Sequence, residues 1–300
     1  MEKKKILFII NPISGVYKKQ NVPEKIARDI DYTQFDYTIR ATQYAGHATE
    51  IAREAIAEGY KIIVAVGGDG SINEVANALV ETDAVLGIIP YGSGNGLAMH
   101  LGMTPRNVKA ALDVLNTGKV VKMDVVKTNV RYFLSCAGFG YDAHAARRFR
   151  SQEIRGLLSY VLAGAREAFW HFKPIRTQVW LDEQEIEYEF YLFTAFNSSQ
   201  YGYDIGFLPT ASVHDGVIDV IAIKSFPLRR MLLVFMLMIF KRSDLVKEAA
   251  TFRAKKIRIK GNKKMVYQFD GDHLVWHDDL EMEIVPNALN VMIPAETESY

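Results

Sequence analysis

Cysteine is almost absent from this 300-residue chain: Cys136 stands alone. That excludes an intrachain disulfide and any multi-cysteine metal site, and it suits a reducing cytosol. Charge of one sign is equally lacking, with 36 Lys and Arg against 35 acidic residues and a formal net charge of +1. No global field draws the protein to nucleic acid, so no nucleic-acid partner is expected. Long apolar runs are missing too. The longest, residues 231–240, is flanked by Arg229-Arg230 and Lys241-Arg242 and falls well short of the roughly twenty residues of a membrane span. The opening Met1-Glu-Lys-Lys-Lys-Ile passes from charge straight into a short strand, too short for a signal-peptide core. There is no Pro/Gly/Ser linker, no internal repeat and no low-complexity tract.

What remains is the composition of a folded enzyme, 49% hydrophobic and 24% charged. In the first 125 or so residues, strand and helix signals alternate. Residues 6–10, 62–66 and 85–89 are short, largely β-branched runs, as expected for parallel strands buried on both faces. Between the first two, residues 47–58 place Ala48, Ile51, Ala52, Ala55 and Ile56 at helical spacing. Residues 71–81 do the same with Ile72, Val75, Ala76, Leu79 and Val80, and Ser71-Ile-Asn-Glu74 fits a capping box that would start that helix. Such alternation predicts a doubly wound α/β domain.

Beyond about residue 126 the texture changes to strands, several with period-two alternation, over 177–181, 188–196, 217–223, 256–260, 265–269 and 280–285. Helical segments are expected near 153–170 and 228–248. The second half therefore reads as a largely antiparallel, β-rich domain, with a tight junction near Met123-Asp124 and Asp124 following a short strand.

The chemistry sits in glycine-rich loops at the ends of the parallel strands. Gly67-Gly-Asp-Gly-Ser-Ile-Asn-Glu74 lies between a buried strand and a helix, where backbone amides form an anion site for phosphate. Asp69 puts a carboxylate beside it, able to hold magnesium or take a proton. Pro90-Tyr-Gly-Ser-Gly-Asn-Gly-Leu97, Asn11-Pro-Ile-Ser-Gly15 and Thr42-Gln-Tyr-Ala-Gly-His-Ala48 add three loops at the same sheet edge, the edge at which open α/β sheets bind ligands. The pattern is neither the dinucleotide fingerprint nor the P-loop, so neither hydride transfer nor a standard P-loop NTPase is indicated. His47 reads as a local structural residue in a helix's first turn, His273 and His277 as surface or loop residues, and Cys136 as a small buried apolar residue. The Arg147-Arg148-Phe149-Arg150 cluster with Arg155, and the 231–240 run, are the segments that suit transient lipid contact.

Taken together, Asn-Pro-x-Ser-Gly, Thr-x-x-x-Gly-His-Ala, Gly-Gly-Asp-Gly-Ser-Ile-Asn-Glu and Gly-Ser-Gly-Asn, in this order, resemble the diacylglycerol kinase catalytic family, which includes sphingosine and ceramide kinases. Asp215-Gly-Val-Ile-Asp219 and Phe269-Asp-Gly-Asp272 resemble two of its later motifs. The resemblance implies an ATP-binding α/β domain over 1–124, to which a tail over 287–300 returns, and a β-rich lipid-substrate domain over 125–286. It implies ATP and Mg2+ as cofactors, and a cytoplasmic protein that touches a membrane peripherally to reach its lipid; a homodimer is compatible with it. Asn11, Ser14, Gly15, Thr42, Gly67, Gly68, Gly70, Ser71, Asn73 and Ser93 would line the ATP, with Pro12 and Glu74 in the same motifs. Asp69 would order the magnesium-bound phosphates. Ser212, Asp215 and Val217 would hold a structural magnesium, with Asp124 in the surrounding carboxylate network. The late motif would supply the base, Asp270 or Asp272, because this chain ends it in aspartate rather than glutamate. The second loop, Gly92-Ser-Gly-Asn-Gly96, also lacks the second acidic residue of the bacterial enzymes and looks more like that of sphingosine kinases. The implied activity is transfer of the ATP γ-phosphate to a lipid hydroxyl, that of diacylglycerol first, of a sphingoid base or ceramide second. A soluble-substrate kinase sharing the Gly-Gly-Asp-Gly loop and a non-catalytic nucleotide-binding regulator are the remaining readings.

Overall fold

A computed structural model of the chain describes residues 3–12, 21–140, 143, 174–199, 208, 210–227, 230, 233–234, 237, 245–261 and 265–297. The expected helix over 153–170, the arginine cluster, Ser14 and Gly15 lie outside these residues, as does most of the 231–240 run.

Four parallel strands form the first layer: β1 (Lys4–Ile10), β2 (Phe35–Ala41), β3 (Ile62–Gly67) and β4 (Val85–Pro90), in the order β4-β3-β1-β2. Their continuous apolar sequences are explained by burial on both faces. Leu7, Ile9, Ile63 and Ala65 pack under α2 (His47–Ala57) and α3 (Asp69–Leu79). Ile6, Phe8, Ile10, Val64 and Val66 pack on the opposite face under α1 (Val22–Asp29) and α5 (Val108–Thr117). The short α4 (Gly96–His100) follows the second glycine loop. This is the doubly wound layer that the alternation predicts. The helix α1 and the strand β2 carry weaker signals that the sequence reading passes over, a Pro near the helix start and the alternation of Phe35, Tyr37 and Ile39.

Two details of the reading are corrected. The helix after the glycine loop begins at Asp69 with Gly68 as N-cap, and no side chain among the described residues caps it. The Ser71–Glu74 capping box therefore does not form; the Glu74 carboxylate instead accepts from Gly46 N (2.9 Å) and Ala48 N (3.2 Å) at the start of α2. Nor does helix extend to the end of 228–248: residues 246–248 carry no helix and lead into β11 (Ala249–Ala254).

The second layer is antiparallel and holds an aromatic core, with Phe139 and Phe193 stacked at 5.4 Å beside Phe190, Tyr267 and Phe269. It comprises β6 (Tyr132–Phe133), β7 (Cys136–Gly140), β8 (Ile175–Leu181), β9 (Gln184–Phe196), β10 (Ile218–Lys224), β11, β12 (Lys256–Ile259), β13 (Val266–Phe269) and β14 (Asp272–Val275). Two long strands run through both layers. β5 (Lys119–Thr128) and β15 (Leu280–Ile293) pair antiparallel along most of their length, and Asn290 and Val291 of β15 also pair in parallel with β4. Asp124 thus sits inside β5 rather than after a strand. The β5–β15 register breaks between Val285 and Leu289, and there Asn287 adopts φ 54° and donates its N–H to Asp124 Oδ1 at 2.8 Å. Among the described residues, no helix is long and apolar enough to cross a membrane.

Candidate active site

Parallel strands end on the same side, so the loops after β1, β2, β3 and β4 meet at one edge. Backbone bonds tie them there: Asn11 N donates to Val66 O, Thr42 N to Ile10 O and Tyr91 N to Gly67 O. Asn11 Nδ2 reaches Ser71 Oγ at 3.2 Å, joining the first loop to α3. Pro12 is exposed beside it, Thr42 is buried and Ser93 lies half-buried in the turn after Gly92.

The two glycine loops touch backbone to backbone. A Cβ on Gly92 would lie 2.3 Å from Gly68 Cα, so no side chain fits. Asn95, buried with φ 55°, locks the second loop: its Oδ1 accepts from Gly92 N (2.8 Å) and its Nδ2 donates to Gly92 O (2.9 Å). Its own N–H donates to Asp69 Oδ2 at 2.8 Å. Gly92→Ala is therefore expected to cost about 1–3 kcal/mol of stability by forcing the backbones apart, and to raise the KM for ATP about tenfold or more. Thermal melts and ATP titrations check this; a variant matching the parent in both would contradict it.

Asp69 Oδ1 is buried and has no hydrogen-bond partner among the described residues. Burial, aided by the charge of Asp270, pushes Asp69 up to about 6, against the pull of the Asn95 and Gly96 amides. A buried carboxylate oxygen with no hydrogen-bond partner among the described residues, at a helix N-terminus, fits a hard cation carrying phosphate.

Facing it is the late hairpin. β13 and β14 are joined by Asp270-Gly271, both with positive φ (48° and 86°), the turn conformation that Asp-Gly favours. The Asp270 carboxylate accepts from Leu134 N and Ser135 N (2.8 Å each), Cys136 N (3.0 Å) and Asn73 Nδ2 (2.7 Å). Burial pushes Asp270 above its ordinary range; the three amides and Arg131 oppose that rise. Asp272 opens β14 and is partly exposed, 3.6 Å from Arg131 Nη1. Asn73, almost wholly buried, joins the layers: it bonds Asp270, accepts from Arg131 Nη2 at 2.5 Å and from Asn77 Nδ2 at 3.0 Å. His273 is no loop residue but part of β14, and its Nδ1 is buried without a partner among the described residues.

Residues 212–217 pack against Asp124, whose Oδ2 accepts from Gly216 N at 2.8 Å. Asp124 N donates to Val213 O at 2.6 Å. Asp215 pairs with Arg253 and accepts from Val217 N, while Ser212 Oγ lies 2.9 Å from His214 Nδ1. Asp124 and the 212–217 segment thus come together, but the Asp124 and Asp215 carboxylates are both engaged. Among the described residues no group of three or more His, Cys, Asp or Glu side chains can hold a metal ion.

Sequence reading missed Arg131, Asn95 and Asn197. Asn197 is wholly buried and its Nδ2 donates to Asp124 O and Leu134 O at 2.9 Å each. Arg131 and Asn197 belong to no motif that composition or spacing singles out, whereas Asn95 is the asparagine of the Gly-Ser-Gly-Asn motif, to which the sequence reading gave no role.

Two family models divide the chain: a diacylglycerol kinase catalytic domain over residues 5–128 and a YegS C-terminal NAD kinase beta sandwich-like domain over residues 135–293. A diacylglycerol kinase of Bacillus subtilis is 28% identical over 90% of this chain and 90% of its own. One from Staphylococcus saprophyticus is 30% identical over 74% and 73%. A solved structure described as a diacylglycerol kinase from Bacillus anthracis, 23% identical, has the same fold, with a TM-score of 0.72 over 98% of each chain. A nucleotide-type α/β layer facing an acidic hairpin on a β sandwich defines the class, a two-domain phosphotransferase. The chain belongs to the diacylglycerol kinase family and is an ATP-dependent lipid kinase.

Proposed function

We propose that the protein transfers the γ-phosphate of ATP to the free hydroxyl of diacylglycerol at a membrane surface, working from the cytoplasm by peripheral contact. The observation that carries the reading is the opposition of Asp69, with its unpartnered buried oxygen, to the hairpin bearing Asp270 and Asp272. The glycine amides at the start of α3 bind phosphate, and the Asn11–Ser71 bond fixes the rim of that site. Magnesium, when bound, would neutralise phosphate charge, and Asp69 would hold it. Asp272 is the general base. Asp270 is not, because its two oxygens already accept four donors and have no capacity for a hydroxyl proton. As the acceptor oxygen bonds to phosphorus, the bond to the ADP oxygen breaks and the hydroxyl proton passes to Asp272.

The experiment is labelled-phosphate transfer from ATP and magnesium into detergent-dispersed diacylglycerol, monoacylglycerol, sphinganine and ceramide. Diacylglycerol is expected to be preferred by at least about tenfold in kcat/KM, roughly 1.4 kcal/mol of transition-state discrimination. Preference for sphinganine or ceramide would overturn the acceptor, and no product from any of them would overturn the transfer. The second loop, where Gly96 opens α4 without an acidic side chain, is the feature that keeps the sphingoid reading in the panel.

A further inference from the structure

The hairpin carrying Asp270 and Asp272 packs against α3, the helix that begins at Asp69, and Arg131 lies between Asn73 of that helix and Asp272. We propose that Arg131 is a catalytic residue of the transfer, its guanidinium binding the oxygens of the transferring phosphoryl group as charge spreads over them. This rests on the assignment of the transfer to the site of Asp69 and Asp272.

The mounting of Arg131 is rigid. Thr128 Oγ1 accepts from Arg131 N (2.9 Å) and donates to Arg131 O (2.6 Å), and Thr128 N donates to the same carbonyl, fixing the turn between β5 and β6. The side chain is 28% exposed. Nη2 donates to Asn73 Oδ1, which ties the guanidinium to the helix that carries the phosphate loop. Nη1 faces Asp272 Oδ2 at 3.6 Å, which is an ion pair but too long for a hydrogen bond.

A purely structural link between hairpin and helix is the plainer alternative. The geometry argues against it. A partly exposed pair at 3.6 Å adds little to stability, and the hairpin is already secured by the four bonds to Asp270. An arginine needed only as a clamp would close onto Asp272. Here the planar fork is anchored at one corner and stands open toward the carboxylate that takes the proton. That is the geometry for bidentate contact with phosphate oxygens, which a lysine cannot reproduce. An arginine supplied from within the same chain is an established way to neutralise a phosphoryl-transfer transition state.

The test compares Arg131→Met, Arg131→Lys and Asp272→Asn in the full chain, measuring kcat, the KM for ATP and the melting temperature. Arg131→Met is expected to lower kcat by about 10²–10³-fold with the KM for ATP changed less than about threefold. Arg131→Lys, which keeps the charge and the apolar stem, is expected to fold like the parent and still to lose at least about tenfold in kcat. Parent-level turnover in Arg131→Lys overturns the inference, as does a loss of turnover in Arg131→Met matched by a loss of folded protein. Full activity in both arginine variants with an inactive Asp272→Asn overturns Arg131 alone; full activity in Asp272→Asn overturns the site on which the inference rests.

Discussion

Asp69→Asn is expected to lose phosphoryl transfer by at least about 10³-fold while melting no lower than the parent at pH 7.5. The two effects have one cause. Burial beside Asp270 raises the Asp69 carboxyl to about 6 from an ordinary 3.8. A carboxyl with a raised folded-state value stabilises the fold below its unfolded value, and that contribution is lost as pH climbs through the folded one. Stability therefore falls between about pH 4 and pH 6, and above that window the ionised Asp69 costs at most ~3 kcal/mol. Asparagine removes the charge. Its oxygen can still accept from Asn95 N, and its NH2 group turns toward the side where Oδ1 has no partner. Activity requires the charged form, so turnover of the parent is expected to rise with pH through about 6. Melting curves and pH–rate profiles from pH 5 to 8 check both halves; full turnover in Asp69→Asn would remove the proposed role.

The hairpin aspartates are expected to separate into one chemical and one structural residue. Asp272→Asn should fold normally and lose at least about 10³-fold in kcat, because an amide cannot accept the hydroxyl proton. Asp270→Asn should instead unfold more easily, by about 2–4 kcal/mol. Oδ1 accepts Ser135 N and Cys136 N, and Oδ2 accepts Leu134 N and Asn73 Nδ2. Whichever way the asparagine amide turns, its NH2 points at two donors. Denaturant midpoints and kcat of the two variants make the comparison. A stable, inactive Asp270→Asn beside an active Asp272→Asn would exchange the roles.

Much of this was legible in the residues, for local reasons. Strands buried on both faces must be apolar throughout, so β1, β3 and β4 announce themselves. Glycines at strand ends mark the loops that meet at one edge, because the close backbone approach of Gly92 to Gly68 leaves no room for a side chain. The same local view failed at Ser71–Glu74, where the spacing of a capping box was right but the glutamate had a stronger use at α2 in another part of the chain. It also passed over β2, whose half-buried alternation is fainter than a fully buried strand.

The sequence alone determined the fold class, the family and the glycine-rich loops at the strand ends, since each depends on residues close together in the chain. Tertiary structure alone decided that the Asp270 carboxylate accepts four donors and that Asp272 lies partly exposed beside Arg131. It also decided that Asn95, in the second loop, holds Asp69, and that Arg131 stands between Asn73 and Asp272. Those facts depend on partners separated by tens to nearly two hundred residues, such as Asn73 and Asp270. A hydrogen bond across such a distance leaves no periodicity or spacing in the sequence; it exists only once β13 and β14 are folded against α3.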